Sequence, residues 1–579
     1  MLGQPESCGE SPNGSERCAP ENIGGGDLED GAEIEIADRK VDSEANVSTD
    51  TVVAFQHLPR EIVFLCEEKV RINSRYYGKL KVSQYRVVFE PYICEFHTNQ
   101  VHAKRRSLIP GTPHMGLVEI PLQSLYRTYV VDETIRIETS DSRCFLFSFN
   151  REISWLESLH EQLLRWRTAF ENEYLAHHLD KKIRIPDTKY SPEVELSKLI
   201  PMLKTLSVPL ELGIFDQNES RYLCPSYPQK FIIPCRIIQH REEVEKIASF
   251  RSRGRLPVVR WIHRITGAVI CRSSQPLSGL VQRRCKEDED LISEYALCAL
   301  KKHLLIVDAR PAIAALGNAL MGKGVENVKK YRNASLQYHN IENIHAVRKS
   351  YFKLTSEISR AKLVDAPNAF THLKNAAGSW QKHIQKLLVA TCKVSRAVAV
   401  DGMSVLVRCS DGFDRTPQII SLSKLILDSQ YRTLMGFCGL VEAEWIEFGH
   451  KFLDRVGLKS SSEFSPIFLQ FLDAVQNVVR TKPDCFEFNE ELLLFLANAV
   501  YSGMFNRFRH NDSRGLRESQ EQDTTSVWYY VSANAAHFLN KNFKQTEIFD
   551  FSKAPETCFW NRYFLRDYPE QLRVMSQIG

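Results

Sequence analysis

The chain between residues 405 and 416 reads Val405-Leu406-Val407-Arg408-Cys409-Ser410-Asp411-Gly412-Phe413-Asp414-Arg415-Thr416. It opens with a short apolar run, and after Pro417 apolar residues recur at helical spacing as far as Ile426. The pattern predicts a strand, a tight loop and a helix. A loop that enters a helix N-terminus turns backbone N–H groups inward, and with the helix dipole these groups form an anion site.

The residue types in this loop suit phosphoryl transfer. Cys409 opens the loop and Arg415 closes it, with five residues between them. Helix N-termini and nearby cations favour the thiolate form of cysteine, so Cys409 is the candidate nucleophile. Arg415 can hold two phosphate oxygens at once, and with that cation present we expect neither a metal nor a cofactor. Asp414, more than Asp411, is the candidate to protonate the leaving oxygen.

The Cys-x5-Arg spacing alone would also fit a buried core cysteine beside a chance arginine. Here the run from 409 to 416 resembles the signature of the myotubularin phosphoinositide phosphatases, usually Cys-Ser-Asp-Gly-Trp-Asp-Arg-Thr preceded by His. The chain departs from it at Arg408, Phe413 and Pro417, where the family usually has His, Trp and a small residue. Because the nucleophile, the arginine and both acids remain, the resemblance implies an active enzyme.

The resemblance extends over roughly residues 181–568. Three further segments resemble family blocks: 249–257, 274–276 and 308–311. On physical grounds alone, Arg251, Arg253 and Arg255 in the first of them are expected on a solvated face.

The resemblance also implies residues that contact the substrate. Asn318, Asn343 and Ile344 match family positions that contact the inositol head group, although a lone asparagine is commonly a turn or a cap. The loop residues expected to line the same site are Ser410, Asp411, Gly412 and Phe413.

A second cationic feature lies downstream. A helix predicted from Glu442 onward places Lys451 and Arg455 four residues apart, so that they project together and could hold a second phosphate. The family usually has arginine at both positions. Lys451 keeps the charge but loses the planar fork. The apolar face of this helix would carry Trp445, Phe448, Phe452 and Val456.

Composition divides the chain into three parts. Residues 1–50 are acidic and rich in Gly, Ser and Asn, and we expect them to be disordered. Residues 54–170 show short alternating strands and a terminal helical stripe, which fit an all-β barrel capped by a helix; the family carries such a module, called PH-GRAM, in this place. Residues 181–568 alternate strands with helices, which predicts an α/β phosphatase domain with a largely parallel central sheet.

Bulk properties exclude several classes of protein. A net charge of +4 over 579 residues gives no support for nucleic-acid binding. The 15 cysteines show neither metal-ligand spacing nor a disulfide framework, and indicate reduced intracellular thiols. Residues 1–16 lack the apolar core of a signal peptide, and apolar stretches are too short to span a bilayer. Membrane contact is therefore expected to be peripheral, with the cluster Lys104-Arg105-Arg106 as one candidate.

Together these features predict a cysteine-dependent phosphatase. By resemblance its substrates are phosphatidylinositol 3-phosphate and 3,5-bisphosphate, cleaved at the D3 phosphate through a phosphocysteine. The resemblance also implies a cytoplasmic protein peripherally associated with endosomal or other phosphoinositide-containing membranes, and a possible partner from the same family. Two alternatives stay open: a catalytically weak phosphoinositide-binding scaffold that supports an active partner, and a protein tyrosine phosphatase.

Overall fold

A computed structural model of the chain describes residues 61–73, 76–92, 118–169, 211–217, 222–363, 367–457, 462–519, 526–546, 549–550 and 552–566. Two sequence predictions lie outside these residues: the disordered leader 1–50 and the basic cluster 104–106. No helix within the described ranges is long and apolar enough to cross a bilayer.

Seven strands form an antiparallel sheet in the N-terminal part of the chain. They are β1 Val63–Ile72, β2 Tyr76–Ser83, β3 Arg86–Pro91, β4 Val118–Pro121, β5 Leu125–Val131, β6 Thr134–Thr139 and β7 Cys144–Ser148. The order is β4-β3-β2-β1-β7-β6-β5. Helix α1 (Ile153–Ala169) follows and buries Leu156, Leu159 and Leu163. The predicted strands and helical stripe are present, and the PH-GRAM barrel itself stays a prediction.

A second sheet carries the stretch that opened the sequence analysis. Its strands are β8 Leu212–Asp216, β9 Lys230–Pro234, β10 Val258–Ile262, β11 Val269–Ser273, β12 Leu304–Asp308, β13 Ala334–Tyr338 and β14 Ser404–Arg408, in the order β13-β12-β14-β11-β10-β9-β8. Neighbouring strands pair in parallel from β13 through β12 and β14 to β11. From β11 through β10 and β9 to β8 the neighbouring strands pair antiparallel. The sheet is therefore mixed rather than largely parallel. Residues 263–268 between β10 and β11 are too few for a crossover helix, so these strands form a hairpin.

The α-helices after α1 lie between and after the strands of the second sheet. They are α2 Cys235–Gln239, α3 Arg241–Phe250, α4 Lys286–Leu297, α5 Ala312–Leu320, α6 Ile344–Leu363, α7 Pro367–Ala399, α8 Arg415–Leu427, α9 Leu434–Val441, α10 Phe452–Val456, α11 Ile467–Thr481, α12 Glu490–Ser502, α13 Ser513–Glu518, α14 Val527–Ala533, α15 Ala535–Phe538 and α16 Asn561–Phe564. Val405 and Val407 of β14 pack into one core and Leu406 into the other, as expected for side chains that alternate along a strand. This burial on both faces explains why β14 begins with an uninterrupted apolar run.

The single helix predicted from Glu442 is interrupted. A π-helical turn spans Glu442–Ile446, Gly449 has a positive φ of 69°, and α10 begins only at Phe452. The prediction of one continuous helix was therefore wrong. Its four apolar residues, Trp445, Phe448, Phe452 and Val456, are nevertheless all buried.

Candidate active site

The predicted nucleophile loop lies at the carboxyl end of β14, one of the two inner strands of the parallel group. β14 pairs in parallel with β12 and β11, so that Arg408 lies between Asp308 and Ser273. Residues 409–414, here called the anion loop, follow, and α8 begins at Arg415. The strand, loop and helix predicted from the sequence are confirmed. Active loops commonly occupy this edge of an α/β sheet.

The Cys409 sulfur accepts hydrogen bonds from the anion loop and from α8. The side chain is buried, and its Sγ accepts hydrogen bonds from the backbone N–H of Gly412 and from Oγ1 of Thr416, both at 3.3 Å. Two donors directed at one sulfur stabilise negative charge there. This geometry fits an anionic nucleophile.

Gly412 gives the loop its shape. Its φ is +78°, and a Cβ at this position would lie 2.9 Å from the Ser273 carbonyl oxygen. The Gly412 carbonyl accepts hydrogen bonds from Arg255 Nη2 at 3.0 Å and Arg272 Nη2 at 3.1 Å. The carbonyl is thus held toward buried arginines while the N–H points at Cys409. Only glycine meets both requirements without strain.

Phe413 keeps an aromatic contact where the family usually has tryptophan. The Arg255 guanidinium lies 4.5 Å from the centre of the Phe413 ring and 4.6 Å from that of Tyr227. Arg255 and Arg251 are buried, and Arg253 alone of the three is exposed. The expected solvated face was therefore wrong for two of the three arginines.

Arg415 joins the two ends of the anion loop. Its Nη2 donates to Ser410 Oγ at 3.2 Å, and its Nη1 donates to the Ile341 carbonyl at 3.1 Å. The guanidinium is buried at the first position of α8. The guanidinium thus lies beside the anion loop, and its role in binding an anion stays a prediction.

The two candidate acids have different surroundings. Asp411 accepts a hydrogen bond from Ser252 Oγ at 2.7 Å and lies 3.9 Å from Lys323 Nζ. Asp414 forms a two-pronged ion pair with Arg455, at 2.9 and 3.1 Å. Burial alone would raise the pKa of Asp414, but Arg455 outweighs it and holds this pKa below its ordinary value. In this arrangement Asp414 is ionised.

His450 is adjacent to both Phe413 and Asp414. Its Nδ1 donates to the Phe413 carbonyl at 2.9 Å and is 3.5 Å from Asp414 Oδ1. Burial lowers the pKa of His450 to about 4, because the site offers the imidazolium little solvation. A neutral His450 therefore braces the anion loop, and the positive charge beside Asp414 comes from Arg455.

Lys451 and Arg455 come together on one carboxylate. Lys451 Nζ lies 3.4 Å, and Arg455 Nη1 2.9 Å, from the same oxygen of Glu463. Lys451 Nζ is also 5.6 Å from the centre of the Phe413 ring. The two cations are adjacent although Lys451 precedes α10 instead of belonging to it. Binding of a second phosphate here stays a prediction.

The residues assigned to the head group are spread over two helices. Asn343 is exposed and its Oδ1 accepts the Ala346 N–H at 3.0 Å, which is a helix cap at the start of α6. The Ile344 carbonyl accepts a hydrogen bond from Ser465 Oγ at 2.8 Å. Asn318 is half-buried in α5, and its carbonyl accepts the N–H of Lys323, the residue that reaches Asp411. Head-group contacts of all three stay predictions.

Sequence reasoning missed a buried charge network beside the loop. Arg408 donates to Asp308 at 2.8 Å and to Glu326 at 2.8 and 3.0 Å, so its charge is neutralised within the core. Burial would raise the pKa of Glu326, but Arg408 and Arg251 together lower it to about 2. The six buried members balance three positive against three negative charges: Arg251, Arg310, Arg408, Asp288, Asp308 and Glu326. The arginine that replaces the family histidine thus has a structural role that sequence spacing could not show.

The described residues contain no group of three His, Cys, Asp or Glu side chains arranged as metal ligands.

Comparisons with known proteins agree on one family. The model of the myotubularin-like phosphatase domain matches residues 173–517. The chain is 31% identical over 532 residues to phosphatidylinositol-3,5-bisphosphate 3-phosphatase MTMR2 of Bos taurus, covering 88% of this chain and 78% of that protein. It is 36% identical over 360 residues to the MTMR6 enzyme of that description in Mus musculus, covering 62% of this chain and 57% of the relative. Human phosphatidylinositol-3-phosphate phosphatase MTMR7 is 38% identical over 338 residues, covering 57% of this chain and 50% of that protein. The match to the family model and the 31% identity to MTMR2 agree with the Cys409-to-Arg415 loop at the end of β14: the chain belongs to the myotubularin family.

Proposed function

We propose that this chain hydrolyses the D3 phosphate of phosphatidylinositol 3-phosphate and 3,5-bisphosphate through a phosphocysteine. The observation that carries the proposal is the Cys409 sulfur, which receives two hydrogen-bond donors inside a loop closed by Arg415. The names of the relatives supply the substrate class, since they describe phosphatases of these two lipids.

Chemistry in this site proceeds in two displacements. The Cys409 thiolate attacks phosphorus while the bond to the inositol oxygen breaks, and an aspartate gives that oxygen its proton. Water then attacks the phosphocysteine, the aspartate takes back a proton, and the thiolate leaves with inorganic phosphate released. The loop amides and Arg415 stabilise the charge on the transferring phosphoryl oxygens in both steps.

We assign Asp414 as the acid. Its ion pair with Arg455 must weaken before Asp414 can carry the proton that the leaving oxygen needs. An ionised Asp414 has no proton to give, so Arg455 must loosen its hold before the first displacement. A substrate phosphate near Lys451 and Arg455 would compete with Asp414 for the guanidinium. The pKa of Asp414 would then rise, because burial favours the neutral acid.

The same ion pair favours a second function. If Arg455 is never drawn away, Asp414 stays ionised and the loop binds phosphoinositides without rapid turnover. The chain would then act as a binding scaffold for an active family partner. For both the enzyme and the scaffold, we propose peripheral attachment to endosomal or related membranes. The proposed domain limits, 54–170 and 181–568, are also the same for both.

Phosphate release from a panel of phosphoinositides distinguishes the two functions. We expect the native chain to release phosphate from lipids with a D3 phosphate, Cys409→Ser to release none, and Asp414→Asn to be slowed about a hundredfold or more. Asp411→Asn is the matched control and should be slowed much less. Lipid binding without release by the native chain would refute the enzyme and support the scaffold. Release from a phosphotyrosine peptide in preference to lipid would favour a tyrosine phosphatase.

A further inference from the structure

Helix α5 turns an apolar face to solvent. Ile313, Leu316 and Leu320 are spaced three and four residues apart and are all strongly exposed, whereas Ala315 is buried. The helix Ala312–Leu320 contains no charged residue. A helix on the surface of a soluble domain normally directs its polar side to water. In α5 the exposed side is apolar instead.

The turn after β11 extends the same apolar surface. A Cβ added to Gly279 would lie 3.6 Å from Gly322 Cα, so the turn and the end of α5 are in contact. Leu280 and Leu316 line one shallow cleft. We call this surface the apolar rim; each of its six members is at least 60% exposed: Leu280, Val281, Ile313, Leu316, Leu320 and Met321.

Cations accompany the apolar rim. Within residues 278–284 and 312–332 the one acid is Glu326, and it is buried in the charge network described above. Asn327 Nδ2 donates to Gln282 Oε1 at 2.7 Å and links the two segments. The cations in these segments, all exposed except the half-buried Lys323, are Arg283, Arg284, Lys323, Lys329, Lys330 and Arg332. Arg284 is ion-paired with Glu289 of α4 at 2.7 Å, so the proposal does not depend on its charge.

The rim borders the anion loop. Lys323 Nζ, two residues beyond Met321, lies 3.9 Å from Asp411 Oδ1. Glu326 binds Arg408, the residue immediately before Cys409. Whatever surface the rim contacts is therefore brought close to the nucleophile.

We propose that the apolar rim inserts into the interface of an anionic lipid bilayer and holds the anion loop at the lipid head groups. Exposed apolar side chains together with nearby lysine and arginine are the combination that binds such a surface. A second copy of this chain is a poor occupant, because a symmetric contact would set these cations against one another. The expected effect of the rim on lipid turnover rests on the proposed function, whereas the membrane contact itself does not.

The test compares two pairs of exposed apolar residues. Ile313→Ser/Leu316→Ser removes two of the three rim residues that lie in α5. Leu300→Ser/Val400→Ser is the matched control, since both residues are exposed and precede the amino ends of β12 and β14, away from the anion loop. Binding is measured by sedimentation with phosphatidylcholine vesicles, with and without phosphatidylserine. Turnover is measured on phosphatidylinositol 3-phosphate in those vesicles and on a water-soluble short-chain form.

We expect the native chain to prefer vesicles that contain phosphatidylserine. The rim pair should weaken sedimentation and vesicle turnover at least about tenfold, the loss expected when one large apolar side chain is no longer buried. It should change turnover on the short-chain lipid less than about twofold, and the control pair should behave as the native chain.

Three results would overturn the membrane contact: a native chain that does not sediment with anionic vesicles, equal losses for the rim and control pairs, or a native dimer that the rim pair dissociates. Vesicle binding that depends on the rim, without hydrolysis of either form of the lipid, would uphold the contact while the proposed enzyme function fails.

Discussion

Replacing Arg455 by methionine should leave a buried carboxylate without its cation. Arg455 makes two charge-assisted hydrogen bonds to Asp414, at 2.9 and 3.1 Å, and their side chains are only 5% and 14% exposed. Removing one partner of a buried ion pair costs about 3–5 kcal/mol. The contact of Arg455 with the half-exposed Glu463 adds at most about 1 kcal/mol. We therefore expect Arg455→Met to lower the free energy of unfolding by about 3–5 kcal/mol at neutral pH.

The loss should depend on pH. In the native chain the pKa of Asp414 is below its ordinary value, so the stability that the pair contributes is present above about pH 3.9 and is lost as pH falls through the lowered pKa. In Arg455→Met the strongest opposing charge is removed, and we expect burial to outweigh the smaller contributions of His450 and Arg415 and to raise the pKa of Asp414. The variant then loses stability as pH rises through that raised pKa. Protonation of His450, 3.5 Å away, would act in the same direction. The difference between the two proteins should therefore be largest near about pH 8 and smaller near about pH 5.

Urea unfolding followed by tryptophan fluorescence at several pH values measures this difference. Arg562→Met is the control, because Arg562 also contacts two carboxylates but is 50% exposed, and its loss should be below about 1 kcal/mol. Adding Asp414→Asn to Arg455→Met should restore part of the stability by removing the buried charge. A loss below about 1 kcal/mol for Arg455→Met, or one that is the same at about pH 5 and pH 8, would refute the reasoning.

Three other predictions concern single side chains. Gly412→Ala should destabilise the protein by about 1–3 kcal/mol, because φ at this position is positive and the added Cβ would meet a strand carbonyl. The control Gly378→Ala lies inside α7, where an added Cβ meets nothing, and should stabilise the protein by about 0.5–1 kcal/mol. Thermal unfolding measures both variants, and equal shifts would contradict the prediction for Gly412. Arg408→His, which restores the usual family residue, should lower the unfolding free energy by about 3 kcal/mol, since one imidazole cannot satisfy both buried carboxylates; unfolding in urea measures it, and an unchanged midpoint would count against the network. Lys451→Arg should improve turnover of the 3,5-bisphosphate more than that of the 3-phosphate, by about tenfold at most, because a fork replaces a point charge; equal effects on both lipids would remove Lys451 from recognition of the second phosphate.

Local sequence patterns determined the elements around Cys409, the candidate nucleophile. The apolar run before Arg408 and the helical spacing after Pro417 place Cys409 between a strand and a helix, and the structure has both. Such patterns succeed because a strand buried on both faces needs consecutive apolar residues and a helix needs its own repeat. The helix predicted from Glu442 failed because a positive φ at Gly449 interrupts it, and a hydrophobic period carries no information on such a break.

Pairings between distant residues were decided only by the tertiary structure. Arg408 meets Asp308 from 100 residues away, and Arg455 meets Asp414 across 41. Arginine side chains read from the sequence alone suggest a solvated surface, since burying an unpaired charge is prohibitive. Their burial becomes possible when folding brings a carboxylate within hydrogen-bond distance, and for Arg251 that carboxylate lies 37 residues away in α4. The sequence thus determined where the anion loop lies, while the packing of separate elements determined which charges surround it and whether Asp414, the candidate acid, holds a proton.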